Sequence, residues 1–341
     1  MATMQVIRFR GPGDYGLESA PRPTLQREDD VLVRVQAAGI CGSDLHILDV
    51  PPSHPARPGV VLGHELTGEV VDAGDGADRL KPGVRVVIEP NIACLACAYC
   101  QRGLTNQCLA LSSIGVTRDG GWAEYCLAPA RQLHPLPAGM AVELAALAEP
   151  LSCVLGATSK VKVQPGEAVV VLGGGPIGLL FLQVFCAAGA REVIVVEPQA
   201  GRADSARALG ATEVLDPRSQ DVREAVLART AIGADVVVDA VGSQVATALS
   251  VLRRGGAAVL FGVNDLAQAT LRQFEITRYE YRILGSYIGA FNFPLTLQVL
   301  ASGAVDAHTM VTHRLGLGDV KAAVGELRAG RAIKALLLPG G

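Results

Sequence analysis

The stretch AVVVLGGGPIGLLFLQV, residues 168–184, joins an apolar strand to an apolar helix through a glycine-rich turn. Gly173 permits the tight turn, Gly175 allows the backbone to approach a pyrophosphate, and Gly178 allows the helix to pack closely on the strand. The N-terminus of the helix would point its free N–H groups at the phosphates. A merely tight turn is the alternative, but the strand before it and the helix after it favour a dinucleotide site. The predicted cofactor-binding residues of this turn are Gly173, Gly175, Pro176, Ile177 and Gly178.

The residue after the next apolar strand is a candidate for binding the ribose of that dinucleotide. Glu197 follows the run 193–196 and lies nineteen residues after Gly178. A carboxylate at this place can bind the ribose hydroxyls of NAD and would repel the 2′-phosphate of NADP. Arg202, five residues later, is a further candidate for the cofactor site and would favour NADP. The pattern therefore predicts NAD, with NADP as the alternative.

The two halves of the chain differ in their pattern of apolar residues. From about residue 165, continuous apolar strands alternate with alanine-rich helices, which indicates a parallel sheet covered on both faces. Residues 1 to about 150 instead carry short β-branched runs, such as 31–35 and 84–88, between Gly, Pro and Asp turns. We expect an α/β fold in which a β-rich domain precedes a doubly wound parallel sheet.

Composition limits the classes of partner. Half of the 341 residues are hydrophobic, 18% are charged and the net charge is −3. No apolar run approaches the roughly 20 residues that a membrane span needs, and no basic cluster suits nucleic acid or lipid. We expect a small-molecule partner, with neither nucleic acid nor membrane involved. The chain opens with a charged segment rather than a signal peptide, which predicts a cytoplasmic location.

Four of the eight cysteines lie within fifteen residues, as Cys94, Cys97, Cys100 and Cys108. Thiolates at such short spacings can surround one zinc ion as a tetrahedron. Iron–sulfur proteins use similar runs, but those end in a shorter gap followed by proline, and here Leu109 follows the last cysteine. Disulfides are the other alternative and suit small secreted proteins better. The pattern predicts a structural zinc, because four sulfurs leave no open coordination position.

Further ligand-type residues are scattered through the first half. They occur in Cys-Gly-Ser-Asp-Leu-His, residues 41–46, in Gly-His-Glu, residues 63–65, and in Glu149-Pro-Leu. Taken singly, each has an ordinary explanation as a core residue or a helix-start acid. Taken together, Cys, His and Glu are the ligand types of an open, catalytic zinc site, which keeps one position for substrate.

With these motifs in this order, the chain resembles the zinc-dependent medium-chain alcohol and polyol dehydrogenases over its whole length. The Glu-Pro-Leu motif resembles the sorbitol, threonine and butanediol dehydrogenase branch. The resemblance implies a catalytic zinc on Cys41, His64 and Glu65, with Glu149 bound directly or through water, and a structural zinc on the four cysteines. It also implies a GroES-like catalytic domain at 1–152 with a zinc lobe at about 90–110, a Rossmann NAD-binding domain at 153–287, and a return segment at 288–341. Relatives form homodimers or homotetramers, so a homo-oligomer is expected.

The family mechanism implies hydride transfer between a secondary alcohol and NAD. Ser43 would take the hydroxyl proton, His46 would pass it to solvent, and Glu149 would act beside them. The alternative is that Ser43 caps a helix that begins near Asp44, and that His46 is a surface residue. A polyol, sugar alcohol or cyclitol is the expected substrate, and threonine or a vicinal diol is the second choice.

Three further expectations remain open at this point. Trp122, which follows Asp-Gly-Gly, is a candidate for the wall of the substrate site, although such a residue more often belongs to a core. A non-enzymatic NAD- and zinc-binding protein is the alternative from another class, and the intact ligand motifs argue against it. They also argue against a zinc-free reductase of activated double bonds.

Overall fold

The computed structural model describes residues 2–340, and the chain divides into two compact units. Unit 1 comprises Met1–Ser152, Ala290–Ser302 and Met310–Gly341, and unit 2 comprises Cys153–Gly289 and Gly303–Thr309. Met1, the first residue of the predicted segment 1–152, and Gly341, the last residue of the predicted segment 288–341, lie outside the described residues. No helix among the described residues has the length and apolar character needed to cross a bilayer.

The strands and helices follow in chain order. The strands are β1 Thr3–Gly11, β2 Asp14–Pro21, β3 Asp30–Gly39, β4 Glu65–Ala73, β5 Arg85–Ile88, β6 Asn91–Ile92, β7 Ser112–Ser113, β8 Tyr125–Pro129, β9 Leu133–Pro135, β10 Ala168–Leu172, β11 Glu192–Val196, β12 Glu213–Leu215, β13 Ala234–Asp239, β14 Leu252–Leu260, β15 Arg282–Gly285, β16 Val311–Leu315 and β17 Lys334–Leu337. The helices are α1 Gly42–Leu48, α2 Val142–Ala145, α3 Ala148–Thr158, α4 Pro176–Ala187, α5 Ala200–Ala208, α6 Val222–Thr230, α7 Val245–Val251, α8 Gln273–Tyr279, α9 Phe293–Ala301, α10 Ala307–Met310 and α11 Val320–Arg328.

Unit 2 contains the predicted parallel sheet. Its six strands run in the order β12-β11-β10-β13-β14-β15, and every neighbouring pair is parallel. The strand order reverses between β10 and β13, which is the place where doubly wound sheets bind ligands beyond the carboxyl ends of their strands. All five residues of β10 are buried, as expected for a strand covered on both faces. The α/β expectation is therefore confirmed.

Unit 1 is built around a seven-stranded sheet. Six strands run in the order β16-β17-β3-β4-β5-β9, and β8 pairs with β3 beyond the part that β17 covers. The partners of β3 are all antiparallel, and the predicted β-branched run 31–35 lies inside it, almost wholly buried. The late strand β17 pairs with the end of β3, where Leu336 faces Gly39. The end of β3 thus lies between an early strand, β4, and the last strand of the chain.

Candidate active site

Three of the predicted ligands meet where β3 ends and β4 begins. Cys41 follows β3 by two residues, and Glu65 is the first residue of β4, paired in register with Gly39. One ligand atom each from Cys41, His64 and Glu65 lies within 4.8 Å of the others. The antiparallel pairing of β3 with β4 brings Cys41 to His64 and Glu65, although it lies more than twenty residues before them in sequence. We call these three residues the metal cradle.

The backbone behind the metal cradle is packed against Trp122. Its indole is fully buried, and Nε1 donates a hydrogen bond to the Gly39 carbonyl oxygen at 3.2 Å. Gly63 has a φ of +89°, and a β-carbon there would clash with the Trp122 ring. The expectation that Trp122 lines the substrate site is wrong, because its side chain has no exposed surface. It instead supports the turn that presents His64.

His64 lies among groups that favour positive charge. Its Nδ1 is 3.5 Å from Asp44 Oδ1, and its Nε2 is 3.4 Å from Ser43 Oγ. Burial opposes the charged form of His64, but the Asp44 carboxylate and Cys41 outweigh it and raise the pKa of His64 well above its ordinary value. Asp44 is itself fully buried, and its other oxygen accepts the Cys41 backbone N–H at 2.8 Å.

Several buried polar atoms of this site have no hydrogen-bond partner. Asp44 Oδ1 and His64 Nδ1 face each other as an ion pair at 3.5 Å, and Glu65 Oε2 has only the charge of Lys334 beside it, whereas Glu65 Oε1 has no partner among the described residues. Buried polar atoms normally find partners, so the unpartnered Oε1 of Glu65 indicates a missing ligand. Thiolate, imidazole and carboxylate are the donor types that zinc prefers. The donor set and this unsatisfied oxygen therefore fit a zinc ion.

Glu149 lies outside the metal cradle. It is buried in the first turn of α3, and its carboxylate is not among the ligand atoms that lie within 4.8 Å of one another. Its charge is one of those that raise the pKa of Lys334. The structure therefore brings Glu149 to the surroundings of the metal cradle without placing it in the compact ligand group.

Sequence reasoning missed Lys334. The side chain is buried in β17, where Nζ forms an ion pair with Glu65 Oε2 and donates to the Ile40 carbonyl oxygen at 3.3 Å. Burial opposes its charge, but the negative charges of Glu65, Cys41 and Glu149 outweigh that effect and raise the pKa of Lys334. A lysine within the otherwise apolar run AIKALLL, residues 332–338, was the available signal.

Ser43 and His46 both lie on α1. This helix begins at Gly42, its N-cap is Cys41, and Asp44 provides the capping carboxylate. The alternative in which Ser43 caps a helix beginning near Asp44 is therefore wrong. His46 has a half-exposed side chain, and its Nδ1 lies 3.1 Å from Ser53 Oγ. The proton-transfer roles of both residues stay predictions.

The four clustered cysteines form a second compact group. Their sulfur atoms all lie within 4.8 Å of one another, and all eight cysteines of the chain carry free thiols. The disulfide alternative therefore does not describe this structure. Backbone N–H groups of Cys100 and Leu109 lower the pKa of Cys97 to about 6. The Cys108 sulfur accepts the backbone N–H of Cys94 at 3.2 Å. Such N–H donors stabilise thiolates, which are the form that binds metal.

The glycine-rich turn has the geometry that its sequence predicts. Gly173 follows β10 with a φ of +100°, and Gly175 is the N-cap of α4, with Pro176 in its first turn. A β-carbon at Gly178 would clash with the Gly173 carbonyl oxygen, whereas a β-carbon at Gly175 would meet no atom within 4 Å. Gly178 is therefore required by the fold, and Gly175 leaves open space at a helix N-terminus.

Glu197 is fixed against this turn by backbone donors. Its Oε2 accepts the Gly174 N–H at 2.7 Å, and its Oε1 accepts the Gln199 N–H at 2.7 Å. The carboxylate is 4% exposed, so its position is set before any ligand arrives. Its charge therefore lies at the end of β11, beside the glycine turn.

Two arginines bear on this region: Arg202 follows Glu197 in sequence, and Arg218 interacts with its charge. Arg202 lies on α5, and its Nε is buried without a hydrogen-bond partner. Arg218 donates to Asp216 and to the Pro198 carbonyl oxygen, and the charge of Glu197 contributes to its raised pKa, after the larger effects of Asp216. Arg218 was not predicted, because it lies in a loop with no motif around it.

Comparison with known proteins places this arrangement in a family. Residues 27–138 match the model of the alcohol dehydrogenase GroES-like domain, and residues 176–302 match the model named zinc-binding dehydrogenase. D-arabinitol dehydrogenase 1 of Uromyces fabae is 31% identical, covering 99% of this chain and 98% of its own length. Sorbitol dehydrogenase of Bacillus subtilis (strain 168) is 32% identical, covering 94% and 92%.

A solved structure is similar to this chain and agrees with the family matches. A protein from Sinorhizobium meliloti 1021, assigned as a zinc-binding dehydrogenase and bound to NADP, superposes with a TM-score of 0.93 at 34% identity, covering 99% of this chain and all of that one. The chain belongs to the zinc-dependent medium-chain dehydrogenase family, as its motifs predict.

Proposed function

We propose that this chain is an NAD-dependent zinc polyol dehydrogenase. It would exchange a hydride between NAD and a secondary alcohol of a polyol, sugar alcohol or cyclitol. The metal cradle carries the proposal, because a thiol, an imidazole and a carboxylate lie within 4.8 Å of one another in the same chain that holds an intact dinucleotide turn. The similarity to dehydrogenases named for arabinitol and sorbitol supports the substrate class.

Cys41, His64 and Glu65 would hold one zinc, with Glu149 as a further or water-mediated ligand. The four cysteines of the second group would hold a structural zinc. The catalytic zinc would supply Lewis acidity, which lowers the pKa of the alcohol hydroxyl, while the nicotinamide accepts the hydride. Both donor sets fit their ion, since one includes a thiol, an imidazole and a carboxylate and the other four thiols.

The chain's own residues would handle the proton. The Ser43 hydroxyl can accept and donate at once, and it lies 3.4 Å from His64 Nε2, beside the metal cradle. His46 lies one helical turn further along α1 with about half of its side chain exposed, so it can exchange a proton with water. Asp44, which contacts His64 and the Cys41 N–H, would hold the imidazole in place.

NAD is the proposed cofactor, because the Glu197 carboxylate is buried and fixed at the end of β11. It would bind the ribose hydroxyls and repel a 2′-phosphate. The glycine turn and Arg202, five residues after Glu197, would complete the proposed cofactor site. The relative bound to NADP makes a direct comparison of the two cofactors necessary.

The wider organisation is also a proposal. Residues 1–152 and 288–341 would form a catalytic domain and residues 153–287 an NAD-binding domain, in a homodimer or homotetramer. A cytoplasmic location is proposed because eight free thiols, four of them in one proposed zinc site, suit a reducing compartment.

The experiment is an initial-rate assay of NADH and NADPH formation with the purified, zinc-loaded protein. The panel would contain polyols, cyclitols, vicinal diols, threonine and simple alcohols. Turnover of polyols with NAD in preference to NADP supports the proposal. Turnover confined to threonine or vicinal diols would change the substrate class, and silence with both cofactors while both still bind would indicate a binding protein.

A further inference from the structure

Lys334 connects the two strand ends that carry the metal cradle. Its Nζ donates to the carbonyl oxygen of Ile40, the residue before Cys41, at 3.3 Å. The same Nζ forms an ion pair with Oε2 of Glu65, the residue after His64. The ammonium is therefore shared between the backbone beside one candidate ligand and the carboxylate of another.

This ammonium is almost completely removed from water, since Lys334 is 1% exposed and Glu65 fully buried. Burying a charge is strongly unfavourable unless a well-placed opposite charge offsets it. Among the residues that the structure describes, Glu65 is the one carboxylate that pairs directly with the Lys334 ammonium, and its other oxygen, Oε1, has no hydrogen bond. One thiolate and two carboxylates around a zinc ion would carry one negative charge more than the ion neutralises, and Lys334 supplies the balancing charge.

The space around the Glu65 carboxylate restricts where it can go. A β-carbon at Gly39 would clash with Oε2, so a glycine is needed on the side where Lys334 holds that oxygen. One carboxylate oxygen lies within 4.8 Å of the Cys41 and His64 ligand atoms. The ammonium thus holds a carboxylate that an ion on the metal cradle would also use as a ligand.

We infer that Lys334 is a positioning residue that competes with zinc for the Glu65 carboxylate. By holding Oε2, it weakens Glu65 as a ligand and keeps a coordination position available to the alcohol. This inference rests on the proposed function, because it assumes a catalytic zinc on the metal cradle.

The test compares wild type with Lys334→Met, which keeps the length of the side chain and removes its charge. The affinity of the metal cradle for zinc would be measured by chelator competition, and its geometry by the visible spectrum of the Co²⁺-substituted protein. Lys334→Met should bind zinc about tenfold more tightly, and its Co²⁺ bands should weaken as the coordination number rises. It should also lower kcat more than it changes the KM for alcohol. Lys334→Arg should restore the wild-type spectrum.

A double substitution separates this role from a merely structural one. In the Glu65→Gln background, Lys334→Met should alter neither zinc affinity nor the Co²⁺ spectrum, because the competing carboxylate is gone. An unchanged affinity and spectrum in the single variant would overturn the inference, and so would an equal effect in the Glu65→Gln background. If Lys334→Met does not fold, Lys334→Gln retains a donor for the Ile40 carbonyl and serves the same comparison.

The two proposals fail in different ways. A wild-type protein that binds only one zinc per chain would contradict the proposed function itself. A wild-type protein that binds two, with no response to substitution of Lys334, would contradict only the role of Lys334.

Discussion

Glu65 Oε2 occupies the space that a β-carbon at Gly39 would fill. The two residues face each other in register across β3 and β4, so the strand pairing and the placement of the carboxylate depend on the same glycine. The absence of a side chain at Gly39 is therefore a condition for the metal cradle, and it can be tested by substitution.

Gly39→Ala should destabilise unit 1 and displace Glu65. Overpacking of this kind costs about 1–3 kcal/mol, and the displaced carboxylate should also reduce zinc binding. Urea unfolding and zinc content would measure the two effects. Gly325→Ala is the matched control, because Gly325 lies inside α11 with nothing within 4 Å of its added β-carbon and should gain about 0.5–1 kcal/mol. Equal stability of the two variants would contradict the clash.

Two glycines of the dinucleotide turn should respond differently to alanine. Gly178→Ala should lower stability by about 1–3 kcal/mol, because its β-carbon meets the Gly173 carbonyl oxygen. Gly175→Ala should leave stability unchanged, since nothing lies within 4 Å, but weaken NAD binding about tenfold by obstructing the pyrophosphate. Thermal unfolding and fluorescence titration with NADH separate the two. Unaltered NADH affinity in Gly175→Ala would place the cofactor elsewhere.

The two metal sites should lose zinc independently. Cys41→Ser should reduce the zinc content from two ions per chain to one and abolish turnover, with NADH binding nearly unchanged. Cys97→Ser should also remove one ion, but its main effect should be a lower Tm, because a closed site serves the fold. Elemental analysis would measure the zinc content per chain, and thermal unfolding would measure the Tm. Activity retained in Cys41→Ser would refute the catalytic assignment, and a stable but inactive Cys97→Ser would refute the structural one.

Glu197→Gln should weaken the preference for NAD. The amide can still accept one backbone hydrogen bond, but the charge that repels a 2′-phosphate is lost, so the ratio of kcat/KM for NAD over NADP should fall about tenfold. Asp204→Asn is the control, because this exposed acid on α5 pairs with Arg207 and touches no part of the turn. If the ratio of kcat/KM for NAD over NADP changed equally in both variants, the effect would come from the loss of any negative charge and not from Glu197 in particular.

The buried thiol of Cys126 should make the free energy of unfolding decrease at alkaline pH. Burial raises the pKa of its thiol from about 9 to about 12, so the folded protein keeps a proton that the unfolded chain releases. The contribution to stability is complete below about pH 9 and falls by about 1.4 kcal/mol per pH unit above it. Urea unfolding of wild type and Cys126→Ala between pH 8 and 10.5 would show a steeper loss in wild type. Parallel curves would mean that the thiol titrates normally in the fold.

The parts of the structure that the sequence predicts are those with a local pattern. The run 168–184 contains strand, turn and helix in one continuous segment, and the four-cysteine group depends on ligands only a few residues apart. Both could be read without knowing which strands pair. The grouping of Cys41 with His64 needed the family resemblance, because the pairing of β3 with β4 that brings them together has no short-range signature.

The missed residues share a physical reason. Lys334 reaches the metal cradle through pairing between β17 and β3, and Arg218 reaches the region of Glu197 through a loop, so neither has a motif at its own position. Trp122 was left between two alternatives, because an aromatic residue after two glycines suits a pocket wall as well as a core, and the core alternative is the one that holds. Only the packing against Gly39 and Gly63 distinguishes the two.

The hydrogen bond between Lys334 and Ile40 joins residues 294 positions apart in the chain. Contacts of such long range form slowly during folding, because the ends of a long segment must first be brought together. The hairpin-like approach of β3 to β4 can gather the three ligands much earlier. We therefore expect the three ligands to approach one another before Lys334 supplies their counter-charge. Pairing of β17 with β3 would thus be the step that completes the charge balance of the site.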